Sequence, residues 1–299
     1  MNDPIRLNFN SENVWILNVC LAIIMFGVAL GLRPADFKRL ATTPRAALAG
    51  LVAQFIALPA LTYLLVMVIH PSPAMALGLI LVSACPGGNI SNFMSSLAGG
   101  NVALSVGLTA AGSFLSVFLT PLNLAWWGGL YAPAAALLRQ VEVNLTDVFT
   151  TIFLIAGIPL MLGMLVNSRY PQAAIQLSRW LKPASILLFI GFVIVAFVQN
   201  TDAFINYIHL IFFIVLVHNA LAFTTGYWVA KIGRAPYNDQ RTIAIETGIQ
   251  NSGLGLALIF TFFNGLGEMA IVAGWWGIWH IVSGLGLSYY WSRNPTSAL

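Results

Sequence analysis

Charged residues are scarce in this sequence. They make up 7% of its 299 residues, whereas hydrophobic residues make up 59%. A soluble domain carries roughly 25% charged residues, so the composition excludes a sizeable soluble domain and predicts an all-α protein that crosses a membrane several times. The formal net charge is only +4, and no basic cluster is dense enough to predict nucleic-acid binding.

Cysteine and catalytic motifs are scarce as well. The two cysteines, Cys20 and Cys85, both lie within apolar segments, which predicts core residues and excludes a disulfide framework. The sequence contains neither a His-Glu-x-x-His nor a Gly-x-Ser-x-Gly pattern, the motifs of a metalloprotease and of a serine hydrolase. We therefore expect neither an enzyme nor an organic cofactor.

Apolar runs of spanning length recur along the whole chain. A helix needs about 20 residues to cross a bilayer, and nine runs are long enough. They lie at 14–32, 46–69, 74–97, 102–127, 147–166, 182–199, 206–230, 242–264 and 268–291. The residues before the first run lack the basic region of a signal peptide, so we expect this run to be retained.

The loops between these runs differ in charge. Eleven of the thirteen basic residues fall in alternate loops or in the C-terminal tail: Arg33, Lys38, Arg39, Arg45, Arg169, Arg179, Lys182, Lys231, Arg234, Arg241 and Arg293. The opposite loops hold Arg6 and Arg139 with most of the acids: Asp3, Glu12, Glu142, Asp147, Asp202 and Glu268. Basic loops stay in the cytoplasm, which predicts a multi-pass protein of the plasma (inner) membrane with its N-terminus outside and its C-terminus inside.

Two of the nine runs carry polar interruptions. The third contains Pro86, Gly87 and Gly88, which should break a helix. In the eighth, the stretch Glu246–Gly255 contains three glycines, two carboxamides and one acid, Glu246. An acid in hydrocarbon costs at least about 3 kcal/mol, so Glu246 is a functional-site hypothesis by default. Oxygen-rich ligand sets of this kind suit a small cation.

The interrupted runs lie five helices apart, which predicts opposite directions in the membrane. Such a pair is typical of transporters built from inverted repeats, in which two broken helices cross at the midplane. We expect a panel domain from 14–33 and 147–199 (helices 1, 5 and 6). A core domain would come from 44–127 and 206–291 (helices 2–4 and 7–9).

The interrupted segments also resemble a known family. Cys85-Pro-Gly-Gly-Asn89-Ile-Ser-Asn92, followed far along the chain by Glu246-Thr-Gly-Ile-Gln-Asn251, resembles the bile acid:sodium symporter family. Shorter matches extend over nearly the whole chain: Met25-Phe-Gly-Val-Ala-Leu-Gly-Leu32, Asp36-Phe37, Val52-Ala-Gln-Phe55, Gly100-Asn-Val-Ala-Leu-Ser105 and His218-Asn219. The resemblance implies a sodium-coupled symporter of a bile acid-like or smaller carboxylate.

The resemblance also implies which residues bind sodium, the only metal expected. One site would use Ser91, Asn92, Ser105, Thr109 and Glu246. The second would use Gln54, Glu246 and Gln250 with the backbone carbonyls near Thr247 and Ile249. The alternatives are structural: Ser and Thr hydroxyls bond back to the preceding turn, and an amide in a membrane helix forms an interhelical hydrogen bond.

The substrate site has fewer candidates. Asn89 and Asn251 lie at the two breaks, where free N–H groups and positive helix ends would suit an anion. His280 matches a substrate-cavity histidine in the family's bacterial members, although a hydrogen-bonded core histidine is nearly as good an interpretation. His218-Asn219 is interpreted as structural.

The prediction is therefore a monomeric symporter whose partners are sodium ions, an organic anion and the lipid bilayer. The main alternative is a sodium/proton antiporter of similar architecture. Antiporters rely on intramembrane acids, often an aspartate pair, whereas this sequence offers the single acid Glu246.

Overall fold

A computed structural model describes residues 11–198 and 201–294, and this part of the chain is helical throughout, without named strands. Fifteen α-helices occur in chain order: α1 (Ser11–Ala29), α2 (Pro34–Thr42), α3 (Pro44–Val52), α4 (Leu58–Ile69), α5 (Pro73–Ala84), α6 (Ile90–Leu97), α7 (Val102–Leu130), α8 (Ala132–Gln140), α9 (Leu145–Ile152), α10 (Ile158–Arg169), α11 (Pro171–Val198), α12 (Thr201–Ile232), α13 (Tyr237–Gly248), α14 (Ser252–Phe262) and α15 (Gly267–Arg293). Asp3 and Arg6 lie outside the described residues, as do the side chains of Glu12, Lys38, Arg39, Lys182 and Asp202.

Five described helices are long and apolar enough to cross a membrane. They comprise Pro44–Ile69, Val102–Leu130, Leu145–Arg169, Ile211–Ile232 and Gly267–Arg293. Shorter apolar helices occur at Val14–Ala29, Pro73–Ala84 and Ser252–Phe262. The other predicted spans thus fall on α1, on α11 and on the pairs α5–α6 and α13–α14, and the count of nine stays a prediction.

Both predicted interruptions are confirmed. Helix α5 ends at Ala84 and α6 begins at Ile90, while α13 ends at Gly248 and α14 begins at Ser252. A residue before proline is pushed out of the helical region, and Cys85 accordingly has an extended backbone with φ −70° and ψ 158°.

Single prolines at Pro59, Pro121 and Pro159 lie inside apolar runs and predict kinks, and two of the three follow a widened helical turn. A π-helical turn at Ala53–Ala57 precedes Pro59, and another at Phe153–Gly157 precedes Pro159. A proline ring collides with the carbonyl of the preceding turn in a regular α-helix, and a π-turn makes room for it. Helix α7 instead continues through Pro121.

Several boundaries differ from the sequence prediction. Helices α2 and α8 fall in segments that were predicted to be loops, and each begins with a proline in its first turn. Arg179, predicted in a loop, lies within α11, and Arg241 lies within α13 and is buried. Proline favours the start of a helix, because the N–H groups of the first turn have no partner within the helix and the one that proline lacks is not missed. Proline in the first turn therefore explains why α2 and α8 begin where they do.

The packing places the two interruptions side by side. Helix α5 packs against α7 and α15, and α12 packs along α13. Helix α1 packs on α10 and α11, and it also touches α14. The largest buried apolar cluster includes Val82, Cys85 and Leu254, so it reaches the ends of α5 and α14 that meet at the breaks.

Candidate functional site

The two interruptions are joined by backbone hydrogen bonds. The N–H of Gly88 donates to the carbonyl of Ile249 at 2.8 Å, and the N–H of Asn251 donates to that of Pro86 at 2.9 Å. A side chain at Gly88 would be crowded here, because its Cβ would lie 3.1 Å from the carbonyl oxygen of Gln250. The breaks therefore form one antiparallel bridge and hold the four helix ends around it.

Helix ends leave carbonyl groups without intrahelical partners, and side chains from other helices satisfy those at the breaks. The hydroxyl of Thr120 donates to the carbonyl of Ala84 at 2.7 Å. The Nε2 of Gln54 donates to the carbonyl of Cys85 at 2.8 Å. Unwound backbone of this kind is tolerated at membrane depth only when it is buried in protein or lines a cavity.

Glu246 lies beside the bridge between the two breaks, next to Gly87, and is 5% exposed. Its carboxylate accepts hydrogen bonds from Ser91 at 2.5 Å, from Ser105, and from Thr109 at 3.1 and 3.2 Å. Thr109 also lies 3.4 Å from Oδ1 of Asn92. Three of the five residues of the first predicted site thus donate to the fourth, Glu246, from α6 and α7 to α13, and Asn92 joins them through Thr109.

The hydroxyl groups of Ser105 and Thr109 could bond either to the preceding turn of their own helix or to a group on another helix. Threonines elsewhere in the chain, such as Thr150 and Thr224, donate to the carbonyl one turn earlier. Ser105 and Thr109 instead aim their hydroxyls at a carboxylate on another helix. The result is a buried acid surrounded by neutral oxygen-bearing groups.

The residues of the second predicted site form a chain of carboxamides. Gln54 Nε2 donates to Gln250 Oε1 at 3.0 Å, and Gln250 Nε2 donates to the carbonyl of Thr247 at 2.8 Å. Gln54 therefore makes an interhelical hydrogen bond, which is the structural interpretation that the sequence offers as the alternative to a sodium ligand. Thr247 Oγ1 is buried and has no partner among the described residues. The carbonyl of Ile249 accepts the N–H of Gly88.

The predicted anion site differs in part from expectation. Asn251 caps α14 itself, because its Oδ1 accepts the N–H of Leu254 at 3.1 Å, and its Nδ2 points to Met25 Sδ at 3.5 Å. The prediction of free N–H groups at this helix end is therefore wrong for Leu254. Asn89 makes no capping hydrogen bond with its side chain.

The two histidines of interest have different surroundings. His280 is 6% exposed, and its Nδ1 has no hydrogen-bond partner in the described part of the chain. His218 is fully buried between Thr62, 2.8 Å from Nε2, and Trp276, whose Nε1 donates to Nδ1 at 3.0 Å. His218 thus has partners for both ring nitrogens, as its structural interpretation predicts.

One polar cluster was not predicted from the sequence. The guanidinium of Arg241 donates to the carbonyls of Ala98 at 2.9 Å and Asn294 at 2.8 Å, next to the C-terminal ends of α6 and α15. Asp239 accepts from Nδ2 of Asn101 at 2.9 Å in the same region. The position of Arg241 at the edge of an apolar run predicts a loop, and the sequence alone holds no signal that this side chain would be buried.

Comparison with known proteins agrees with the motifs. Residues 18–207 match the model of the Sodium Bile acid symporter family. The Uncharacterized sodium-dependent transporter YocS of Bacillus subtilis is 32% identical over 290 residues, covering 96% of this chain and 87% of that protein.

Two plant and animal relatives are longer than this chain. The Probable sodium/metabolite cotransporter BASS1, chloroplastic, of Oryza sativa subsp. japonica is 32% identical over 93% of this chain, which spans 66% of that protein. Sodium/bile acid cotransporter 4 of Homo sapiens is 28% identical over 83% of this chain, which spans 56% of that protein. The resemblance predicted from the sequence is confirmed, and the chain belongs to the Sodium Bile acid symporter family, a family of multi-pass sodium-coupled transporters and not of enzymes.

Proposed function

We propose that this protein is a sodium symporter that carries an organic anion into the cytoplasm. The observation that supports it most is the Glu246 carboxylate, which is buried at the crossing of two broken helices among neutral hydroxyl and amide groups. A buried carboxylate without a cationic partner is unfavourable, and a bound cation would offset that cost.

The first sodium site would use the oxygens of Ser91, Asn92, Ser105, Thr109 and Glu246. The hydroxyls now donate to the carboxylate, and each keeps lone pairs that can turn to a cation placed between them. Hydroxyl, amide and carboxylate oxygens are hard ligands that suit a small cation.

The second sodium site would use Glu246, the side chains of Gln54 and Gln250, and the carbonyls of Thr247 and Ile249. The carbonyls point to Gln250 and Gly88 at 2.8 Å each. A carbonyl oxygen has a second lone pair, so these hydrogen bonds leave room for coordination. Glu246 belongs to both sites and would couple them.

The anion would bind beside the sodium ions. Two sodium ions and one carboxylate leave one net positive charge in a region of low dielectric, which a monovalent anion neutralises. Asn89, Asn251 and His280 are the candidates to contact it, and the unpartnered Nδ1 of His280 supports this role. The names of the relatives above include metabolite and bile acid cotransporters, so we propose a carboxylate-bearing substrate.

The architecture proposed for this activity has nine spans in two inverted repeats. The panel would comprise 14–33 and 147–199, and the core 44–127 and 206–291. Packing of α1 on α10 and α11 supports the panel, and packing of α12 on α13 supports the core. Sodium binding would fix the crossing, and the core would then rock against the panel. The N-terminus would lie outside and the C-terminus in the cytoplasm.

Uptake into proteoliposomes tests this proposal. A thermal-shift screen of carboxylates with sodium or choline would first select a substrate. A sodium gradient should then drive its uptake, and an inside-negative potential should accelerate it, because one charge moved across 100 mV is worth about 2.3 kcal/mol. Uptake without sodium would refute the symporter, and sodium-driven proton counterflow without solute uptake would favour the antiporter.

A further inference from the structure

Asn219 of α12 contacts the interruption between α13 and α14. It is 1% exposed, and its Nδ2 donates to the carbonyl of Gly248 at 2.8 Å. Gly248 is the last residue of α13, so its carbonyl has no partner within that helix. Asn219 therefore supplies the hydrogen bond that the interruption removes.

The face of α12 that carries Asn219 fits closely against the end of α13. Phe223, one turn after Asn219, lies where a side chain on Gly248 would be. Gly226 in turn lies against the backbone of Ile243 and Ala244 and beside Thr247. The glycines allow the two backbones to approach, and this approach brings the Asn219 amide within reach of the break.

The orientation of the Asn219 amide is itself fixed. Ser283 of α15 donates from its hydroxyl to Asn219 Oδ1 at 2.5 Å. Because the Gly248 carbonyl can only accept, the amide presents its NH₂ to Gly248 and its Oδ1 to Ser283. Three helices, α12, α13 and α15, thus meet at this single side chain.

Three successive carbonyls at the break point to three different donors. Thr247 accepts from Gln250, Gly248 accepts from Asn219, and Ile249 accepts from the N–H of Gly88. The middle one belongs to a glycine, the residue with the most backbone freedom. If its partner were removed, the peptide after Gly248 could rotate, and the carbonyls on both sides would turn with it.

We propose that Asn219 is a positioning residue for the second sodium site. It would not touch sodium; it would hold the Thr247 and Ile249 carbonyls in the orientation that coordination requires. This inference rests on the proposed function, because it assumes that these two carbonyls coordinate sodium.

The test compares Asn219→Ala with a matched control. Asn167 is also buried, and its Nδ2 donates at 2.8 Å to a carbonyl near a helix end, that of Leu32, which belongs to neither interruption. Asn167→Ala removes the same kind of hydrogen bond. The sodium concentration for half-maximal effect is measured by thermal stabilisation and by uptake.

Loss of one hydrogen bond that holds a site in place should weaken binding by about fivefold. We expect Asn219→Ala to raise the half-maximal sodium concentration by that factor and to keep the maximal rate at saturating sodium. Asn167→Ala should lower the melting temperature by a similar amount and leave the sodium concentration unchanged. An unchanged sodium concentration in Asn219→Ala would overturn the inference.

A second variant and the wild-type sodium response distinguish failure of this inference from misfolding and from failure of the proposed function. If Asn219→Ala does not fold, Ser283→Ala retains the Asn219 amide but removes the bond that orients it, and a shift of about twofold is expected. No shift in that variant then overturns the inference. If the wild-type protein shows no sodium response at all, the proposed function fails before the role of Asn219 is reached.

Discussion

Replacing Glu246 with Gln separates the charge of this side chain from its shape. The amide has nearly the same size and can still accept from one of the three hydroxyls now bound to the carboxylate. Two effects on the sodium-free protein oppose each other. Removing a buried charge gains at least about 3 kcal/mol, whereas hydrogen bonds to a charged group are worth roughly 1.5–3 kcal/mol each. Because these terms are of similar size, we expect only a small change in melting temperature without sodium.

Glu246→Gln should weaken sodium binding strongly, because the bound cation loses its attraction to the carboxylate. Ser91 Oγ lies 2.5 Å and Thr109 Oγ1 3.1 Å from the carboxylate, so a cation held by these oxygens lies within about 4 Å of it. At that distance, and with an effective dielectric constant of about 20, the attraction is about 4 kcal/mol. Its loss should weaken sodium binding by roughly a thousandfold.

The measurement is a sodium titration of the melting temperature, with choline chloride to keep ionic strength constant. Glu268→Gln is the matched control, because Glu268 is also an acid bonded to a serine, Ser72, but lies at the start of α15 away from the crossing. The control should keep the wild-type sodium response. If Glu246→Gln also keeps it, with a half-maximal concentration within about threefold of wild type, the electrostatic reasoning is refuted.

Two further predictions concern orientation and packing. A cysteine that replaces Arg139 should react with an impermeant thiol reagent from outside, and one that replaces Gln172 should react only from the cytoplasm. Both positions are exposed, and they lie on opposite sides of the membrane in the proposed topology. The reverse pattern would reject that orientation. Gly248→Ala should destabilise the protein by about 1–3 kcal/mol, because its Cβ would overlap the Phe223 ring. Phe223→Leu in the same chain should recover part of that loss in a thermal melt, and simple addition of the two losses would show that the ring is not the obstacle.

The interruptions were predictable because their causes are local. Pro86 lacks an N–H and constrains Cys85, and the glycines that follow weaken the helix whatever surrounds it. The pairing of the two breaks could be expected from the family resemblance, and the structure brings Ser91, Ser105 and Thr109 to Glu246. Their role as sodium ligands stays a prediction.

Other features depend on contacts that no local pattern encodes. The sequence indicated that Asn219 is an amide within an apolar run, but its partner, Gly248, is set by how α12 packs on α13. The charge of Arg241 predicts an exposed loop position, yet its guanidinium donates to the carbonyls of Ala98 and Asn294 inside the protein. These positions follow from tertiary structure, which decides where a polar group finds a partner.

The bridge between the two breaks also has a consequence for how the chain is made. Ser91 and Glu246 are 155 residues apart, and at about 5–20 residues per second roughly 8–30 s of synthesis separate them. During that interval the N–H of Gly88 and the carbonyl of Pro86 have no partners from the eighth segment. Lipid cannot supply such partners. The third run must therefore stay beside water, beside the insertion machinery or in a different conformation until the ribosome has synthesised the eighth run. Its final conformation is acquired only near the end of translation.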